Sequence, residues 1–209
     1  MRSKLAKIIG INETEFDFKS MKLIYVVCSF EYAIYNDTLW CNLFSKEDFQ
    51  IMEYIIDLQS YLIGGHGRAI NQRMACPVLV DLIQHLEESK KTSDKLTTSL
   101  QFSHSGIFKR LYAMFGLFKE FGSSLCRSSF QCLNEWRSSL ILPFLANIKF
   151  LLYDCSAGPN SPDHRLMVKI QEHFVKIDGC DDLLCPLDSF MARYRSEAQQ
   201  CDLDEICRI

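Results

Sequence analysis

The chain alternates between stretches of helical period and short apolar runs punctuated by glycine, proline and cysteine. Between residues 17 and 35, apolar side chains fall at Leu23, Ile24, Val27, Phe30, Ala33 and Ile34. That is the three-and-four spacing of one helix face. Asp37 to Cys41 reads as a loop. Ser45 with Asp48 three residues later fits a reciprocal cap at a helix start. The helix it opens, about 46–62, offers Phe49, Met52, Ile55, Ile56 and Leu62 for burial, and Gly64 and Gly65 end it. "GGHGRAINQRMAC" is a glycine-rich loop leading into a helix over about 70–89, with Pro77 near its first turns, and "EESKKTSDK" is a polar loop.

The second half changes character. Thr97 to Phe102 reads as a short buried strand, and Ile107, Leu111, Met114, Phe115 and Phe118 predict a helix over 105–118. A serine- and cysteine-rich loop covers 122–135, a central strand 149–153, and a hairpin 166–177 turning at Gln171-Glu172-His173. A last helix, about 187–200, follows Pro186. A strand, then a helix, with later strands, points to an α/β sheet with helical insertions. In open α/β sheets ligands bind beyond the carboxyl ends of strands. His104 stands at such an end, and the free N–H groups from about Ser105 to Phe108 would face an anion there. The competing reading is a histidine that only caps a turn.

Composition narrows the class. The 209 residues, 48% hydrophobic and 12% aromatic, are enough for a buried core. A net charge of −3 lacks the basic footprint of a nucleic-acid binder. No apolar run reaches the roughly 18 residues a bilayer span needs. Leu140 to Tyr153 is interrupted by Pro143, Asn147 and Lys149. The first residues, "MRSKLAKIIGINETEFDF", hold too short an apolar stretch for a signal-peptide core.

The ten cysteines argue for an oxidising compartment. Disulfides, buried thiols and zinc all compete for them. The tightest spacings are Cys180-x4-Cys185, Cys126-x5-Cys132 and Cys201-x5-Cys207, with no histidines completing a zinc set. No metal is expected. Asn12-Glu13-Thr14 and Asn36-Asp37-Thr38 are glycosylation sequons, making Asn12 and Asn36 acceptor candidates. A chain that begins inside a longer secreted protein would reconcile these signs with the missing signal peptide.

"LQFSHSGIFKRLYAMFGLF", around His104, resembles the second signature of the clade-two histidine acid phosphatases, the phytases and multiple inositol polyphosphate phosphatases. "VVCSFEYAIYNDTLWCNLFSKEDFQIMEYIIDLQSYLIGGHGRAIN", "WRSSLILPFLANIKFLLYDC" and "GCDDLLCPLDSF" are similar to further blocks of that family, in order from about residue 17 to 201. "INQRMACPVLVDLIQHLE" looks like the inositol polyphosphate branch. The resemblance implies the C-terminal portion of one three-layer α/β domain, with the N-terminal portion missing. About 17–95 would be a mostly helical insertion, and about 96–209 strands, helices and a C-terminal disulfide loop of the core. It implies a phosphomonoester hydrolase of the secretory pathway that uses a phosphohistidine intermediate and no cofactor. Its substrate would be a small phosphate ester of the inositol polyphosphate class, with no nucleic acid and no transmembrane segment involved.

By the same resemblance His104 contacts phosphate. Asn71 and Arg73, in the loop before a helix, are candidate contacts for a polyanionic substrate. Disulfides Cys28–Cys41 and Cys180–Cys185 are implied, and Cys201 matches a cysteine whose family partner lies in the missing portion, leaving it unpaired here. Cys126–Cys132, and a pairing among Cys76, Cys155 and Cys207, stay open.

Two departures bear on activity. The family's Arg-His-Gly-x-Arg-x-Pro nucleophile motif is absent. "GGHGR" lacks its flanking residues, so His66 reads as a solvent-exposed loop histidine. The family's proton donor, an Asp or Glu after the signature histidine, is replaced by Ser105 and Gly106. A placed carboxylic acid contributes about 10²–10⁴-fold when a poor alkoxide leaves. A serine hydroxyl cannot substitute. This chain alone is therefore expected to be inactive and aggregation-prone, and a non-catalytic relative that binds phosphorylated ligands or a protein partner is the alternative. Lys109 and Arg110 would add positive potential near His104 unless the helix turns them to solvent. Asp178, Asp181 and Asp182 read as a turn rather than a cation site.

Overall fold

The computed structural model describes residues 1–91, 98–119, 136–157 and 163–208. These divide after Leu58 into two compact units.

The first unit contains α1 (Arg2–Ile9), α2 (Phe18–Tyr35) and the opening turns of α3 (Lys46–Gly64). Asp17 caps α2 by accepting the Ser20 N–H at 2.8 Å, and Asn36, with φ 53°, ends it. The capping pair of α3 forms as its sequence suggests. Ser45 Oγ accepts the Asp48 N–H at 3.2 Å while the Asp48 carboxylate accepts the Ser45 N–H at 2.9 Å. Lys4 Nζ donates to the same carboxylate at 2.8 Å. Burial pushes the Asp48 carboxyl up, but these hydrogen bonds outweigh it and hold the group below the usual aspartate range.

Leu5, Ala6, Phe16, Met21, Phe44 and Met52 form the core of this unit, with the Tyr25, Phe44 and Phe49 rings 5.5–5.9 Å apart. A disulfide joins Cys28 of α2 to Cys41, with Cα atoms 4.8 Å apart. The helix over 17–35 is present, but its buried face runs through Met21 and Cys28, while Leu23, Val27, Phe30 and Ile34 are exposed. On α3 most of the expected face is covered, with Met52 buried and Phe49, Ile55 and Ile56 partly buried, while Leu62 is exposed.

In the second unit the helix expected over 70–89 is two helices, α4 (Ala69–Arg73) and α5 (Cys76–Ser89). Pro77 lies in the first turn of α5, where its missing N–H would have had no helical partner. α6 (Ser105–Met114) stops short of 118. Gly116 adopts φ 71°, and a Cβ there would fall 2.2 Å from the Asp178 carboxylate, so the tight turn requires glycine. α7 (Ser138–Ile141) precedes a four-stranded antiparallel sheet of β1 (Ile148–Asp154), β2 (His164–Ile170), β3 (His173–Val175) and β4 (Cys185–Pro186). α8 (Leu187–Gln199) and α9 (Leu203–Ile206) complete the unit.

The hairpin turns at Gln171 and Glu172, both with φ above 0°, as a two-residue loop between right-twisted strands requires. β2 pairs with β1, β3 and β4 and is the central strand; β1, expected to be central, pairs only with β2 among the described residues. The expected strand over 97–102 also fails. The described part, from Thr98, joins no ladder, with Leu100 75% and Phe102 93% exposed, and Thr97 lies outside the described residues. An apolar run becomes a buried strand only if a neighbour pairs with it, and none does so among the described residues.

Leu166, Val168 and Ile170 of β2 pack with Phe115, Phe190, Tyr194, Tyr112 and Leu79. Tyr112 Oη donates to the Ile141 carbonyl at 2.9 Å and Tyr194 Oη to that of Asp178 at 2.7 Å. Burial raises both phenol pKa values above the usual range. Cys180 and Cys185 form a disulfide. Cys201, expected to be unpaired, is bonded to Cys76 across 125 residues and ties the start of α5 to the segment after α8. The packing of α5 on α8 brings the two thiols within reach. Cys155 and Cys207 are free and exposed, and Cys126 and Cys132 lie outside the described residues.

Candidate functional site

His104 is the N-cap of α6, with extended backbone at φ −111° and ψ 169°. Its Nδ1 accepts the Gly106 N–H at 3.1 Å. An imidazole nitrogen can accept only when it carries no proton, so the ring's hydrogen lies on Nε2 in this arrangement. The ring is exposed and folded back over the first turn of its own helix. A Cβ at Gly106 would stand 2.9 Å from His104 Cε1 and 3.0 Å from Nδ1. A carboxylate side chain at 106 and the imidazole in this position therefore exclude each other. Glycine at 106 lets the histidine cap the helix.

Lys109 and Arg110 follow on α6 and neither is fully solvated. Lys109 lies against Gly64, where a Cβ would come within 3.0 Å of its Cδ. Burial, with a smaller contribution from Arg110, lowers the Lys109 ammonium pKa. Arg110 Nε is buried without a hydrogen-bond partner among the described residues.

Asn71 and Arg73 sit in different settings. Asn71 is 3% exposed, and its Nδ2 donates to the Leu62 carbonyl at 3.2 Å and the Gly65 carbonyl at 2.8 Å. Both donors of its carboxamide thus hold the Gly64-Gly65 turn in place. Arg73 is exposed and lines a shallow cleft of about 210 Å³ with Met114, Arg193 and Glu197. Met114 is ten residues along α6 from His104, about 15 Å at helical rise.

His66 is not a free loop histidine. Its Nε2 lies 2.8 Å from the Leu117 carbonyl, and its ring packs 5.9 Å from Trp136 and 6.2 Å from Tyr61. Gly65 allows this contact, since a Cβ there would be 2.6 Å from the Trp136 ring. The sequence signalled this cluster only through its paired glycines; the partner tryptophan is 71 positions away. Asp178 pairs with Lys119 at 2.8 Å, Asp181 and Asp182 are exposed, and the described residues hold no group of three or more potential metal ligands. Asn12 and Asn36 are exposed, and Asn12 Oδ1 accepts from both the N–H and the hydroxyl of Thr14. No helix among the described residues is long and apolar enough to cross a membrane.

A unit of helices and an antiparallel sheet, with a histidine at the head of a helix, meets the family resemblance in part; the strand expected before that histidine does not form among the described residues. Residues 2–177 match the family description "Histidine phosphatase superfamily (branch 2)". The chain belongs to the histidine phosphatase superfamily, branch 2. It is 27% identical over 214 aligned positions to multiple inositol polyphosphate phosphatase 1 of Gallus gallus, covering 99% of this chain and 48% of that protein. The protein of that name in Homo sapiens is 26% identical over 215 positions, covering 99% of this chain and 44% of its own length. In Drosophila melanogaster the figures are 29% over 192 positions, 90% and 40%. The chain thus spans less than half the length of the curated relatives it matches.

Proposed function

We propose that this chain is part of a phosphomonoester hydrolase acting on inositol polyphosphates, with His104 contacting the transferred phosphoryl group. The single observation that carries this reading is the placement of His104 at the N-terminus of α6, inside the segment that matches the superfamily. The positive end of a helix dipole and an imidazole then lie side by side, a pairing suited to phosphate oxygens. The names of the relatives support the substrate class. In the proposed reaction the ester P–O bond breaks as a P–N bond forms to a histidine outside this chain. Water then attacks phosphorus, the P–N bond breaks, and inorganic phosphate leaves as the histidine is regenerated. The leaving alkoxide takes its proton from a group other than residues 105 and 106. The three disulfides and two exposed sequons support a secretory-pathway lumen as the setting, with glycans on Asn12 and Asn36.

A second reading is favoured by one observation, the fold of His104 onto Gly106 where the family carries an acid. In that reading the protein binds phosphorylated ligands without turning them over. The test is phosphate release from inositol hexakisphosphate by this chain joined to the portion of the Gallus gallus relative that its match leaves out. Turnover abolished by His104→Ala supports hydrolysis. Saturable binding of inositol hexakisphosphate without release overturns hydrolysis in favour of the second reading.

A further inference from the structure

A cleft of about 210 Å³ lies in the second unit, at the opposite end of α6 from His104. Gln72, Arg73, Arg193, Glu197 and Gln200 supply its polar lining, and Met114 forms part of its apolar wall. Its two arginines differ. Arg193 donates to the Glu197 carboxylate and lies over the Tyr194 ring, 4.8 Å from the centroid. Arg2, Arg165, Arg195 and Arg208 are likewise each matched to a carboxylate. The Arg73 guanidinium has no ion pair or hydrogen bond among the described residues.

The surroundings of Arg73 are poor in negative charge. No Asp or Glu occurs from Leu58 to Val80, nor from Thr98 to Lys119. Those two stretches carry Arg68, Arg73, Lys109, Arg110 and Lys119, and α4 packs against α6. A chain of net charge −3 thus gathers positive potential here. Cys76, the first residue of α5, also lines the cleft and brings the positive end of that helix dipole to it. Glu197 and the C-terminal turn of α8 act in the opposite sense, so two arginines face one carboxylate. The Cys76–Cys201 disulfide ties α5 to the segment after α8, which leaves little for a ligand to order. A cavity of about 150 Å³ holds benzene. This cleft therefore takes one oxyanion group on a short stem, and not a whole inositol hexakisphosphate.

We propose that the cleft between α4, α5, α6 and α8 binds a small oxyanion, a phosphate or a carboxylate, held by a forked pair of hydrogen bonds from the Arg73 guanidinium. That fork matches two oxygens of either group. The site is separate from the phosphate contact at His104 and does not rest on hydrolysis. Its test reads the chemistry of one arginine rather than phosphate release, so the two can fail separately.

Phenylglyoxal condenses with accessible guanidinium groups, and peptide mass mapping gives the rate at each arginine. The probes are inorganic phosphate and acetate, in N-ethylmorpholine buffer, with sodium chloride at matched ionic strength as the control. Arg68, exposed on the same positive stretch, is the internal reference. Modification at an occupied site slows by one plus the ratio of ligand concentration to Kd. For a Kd of about 1 mM, a probe at about 20 mM should slow Arg73 about 20-fold and leave Arg68 unchanged. Protection by phosphate, by acetate or by both supports the proposal and says which oxyanion source the cleft accepts. Glu197→Gln removes the opposing charge and should tighten binding about two- to fivefold, the range of an exposed charge pair. Equal protection by chloride, equal protection of Arg68, or no protection of Arg73 overturns the proposal. The same mapping on this chain joined to the unmatched portion of the Gallus gallus relative gives a second reading in a longer protein. An Arg73 already unreactive there without a probe overturns the proposal too, because the cleft would then be covered.

Discussion

The Cys76–Cys201 disulfide should be the largest covalent contribution to stability among the three pairs described. Cross-linking removes loop-closure entropy from the unfolded chain, and the effect grows with the logarithm of the loop. For separations of 125, 13 and 5 residues, the chain-entropy relation gives about 5 kcal/mol for Cys76–Cys201, about 3 for Cys28–Cys41 and about 2 for Cys180–Cys185. For a chain of this size, 1 kcal/mol shifts the melting midpoint by about 2–4 °C, so Cys76→Ala with Cys201→Ala should lower that of the second unit by about 10–20 °C. Paired substitutions leave no orphan thiol to exchange with the free Cys155 and Cys207. Trp40 and Trp136 are the two tryptophans, one in each unit. A Trp40→Phe background makes fluorescence report the second unit, and Trp136→Phe the first. Urea titration of the three double variants then gives three values with a required order. If removing the short Cys180–Cys185 loop costs as much as removing Cys76–Cys201, loop entropy is not the mechanism and the reasoning fails.

Three further outcomes are expected. Gly106→Ala should drive the His104 ring off its own helix. Nitrogen-15 shifts of the imidazole would then report loss of the fixed tautomer, while stability changes by no more than about 1 kcal/mol because improved helix propensity offsets the lost cap. An unchanged tautomer signal would contradict the geometry. Gly65→Ala should destabilise the second unit by about 1–3 kcal/mol through overlap with Trp136, with an altered Trp136 emission spectrum. Wild-type emission and stability would show that the contact is not tight. The Asp48 carboxyl has its folded pKa below its unfolded value, so its stabilisation is complete above the ordinary aspartate pKa and disappears as pH falls through the depressed folded value. Asp48→Asn should flatten that acid limb for the first unit. An acid limb unchanged by the substitution would mean that Asp48 does not titrate as placed.

Local signals were legible without coordinates. The Ser45–Asp48 cap, the end of α3 at paired glycines and the Gln171-Glu172 turn each depend on residues within a few positions of one another. So does the head of α6 at His104. The superfamily itself was visible because ordered blocks of residues outlast low overall identity.

What the sequence could not supply were the terms set by distant partners. Leu100 and Phe102 look like a strand because their pattern is apolar, but a strand exists only when another strand accepts its hydrogen bonds. The helical spacing of Leu23, Val27, Phe30 and Ile34 identified α2 but not which side of it would be covered. Asn71 looked available for a substrate until the turn around Gly65 took both of its donors. Cys201 looked unpaired until the packing of α5 against α8 brought Cys76 beside it. Short-range hydrogen bonding and turn geometry are written in neighbouring residues, so the sequence determines them. Burial, strand pairing and disulfide partnership depend on which remote surfaces meet, and only the tertiary structure decides that.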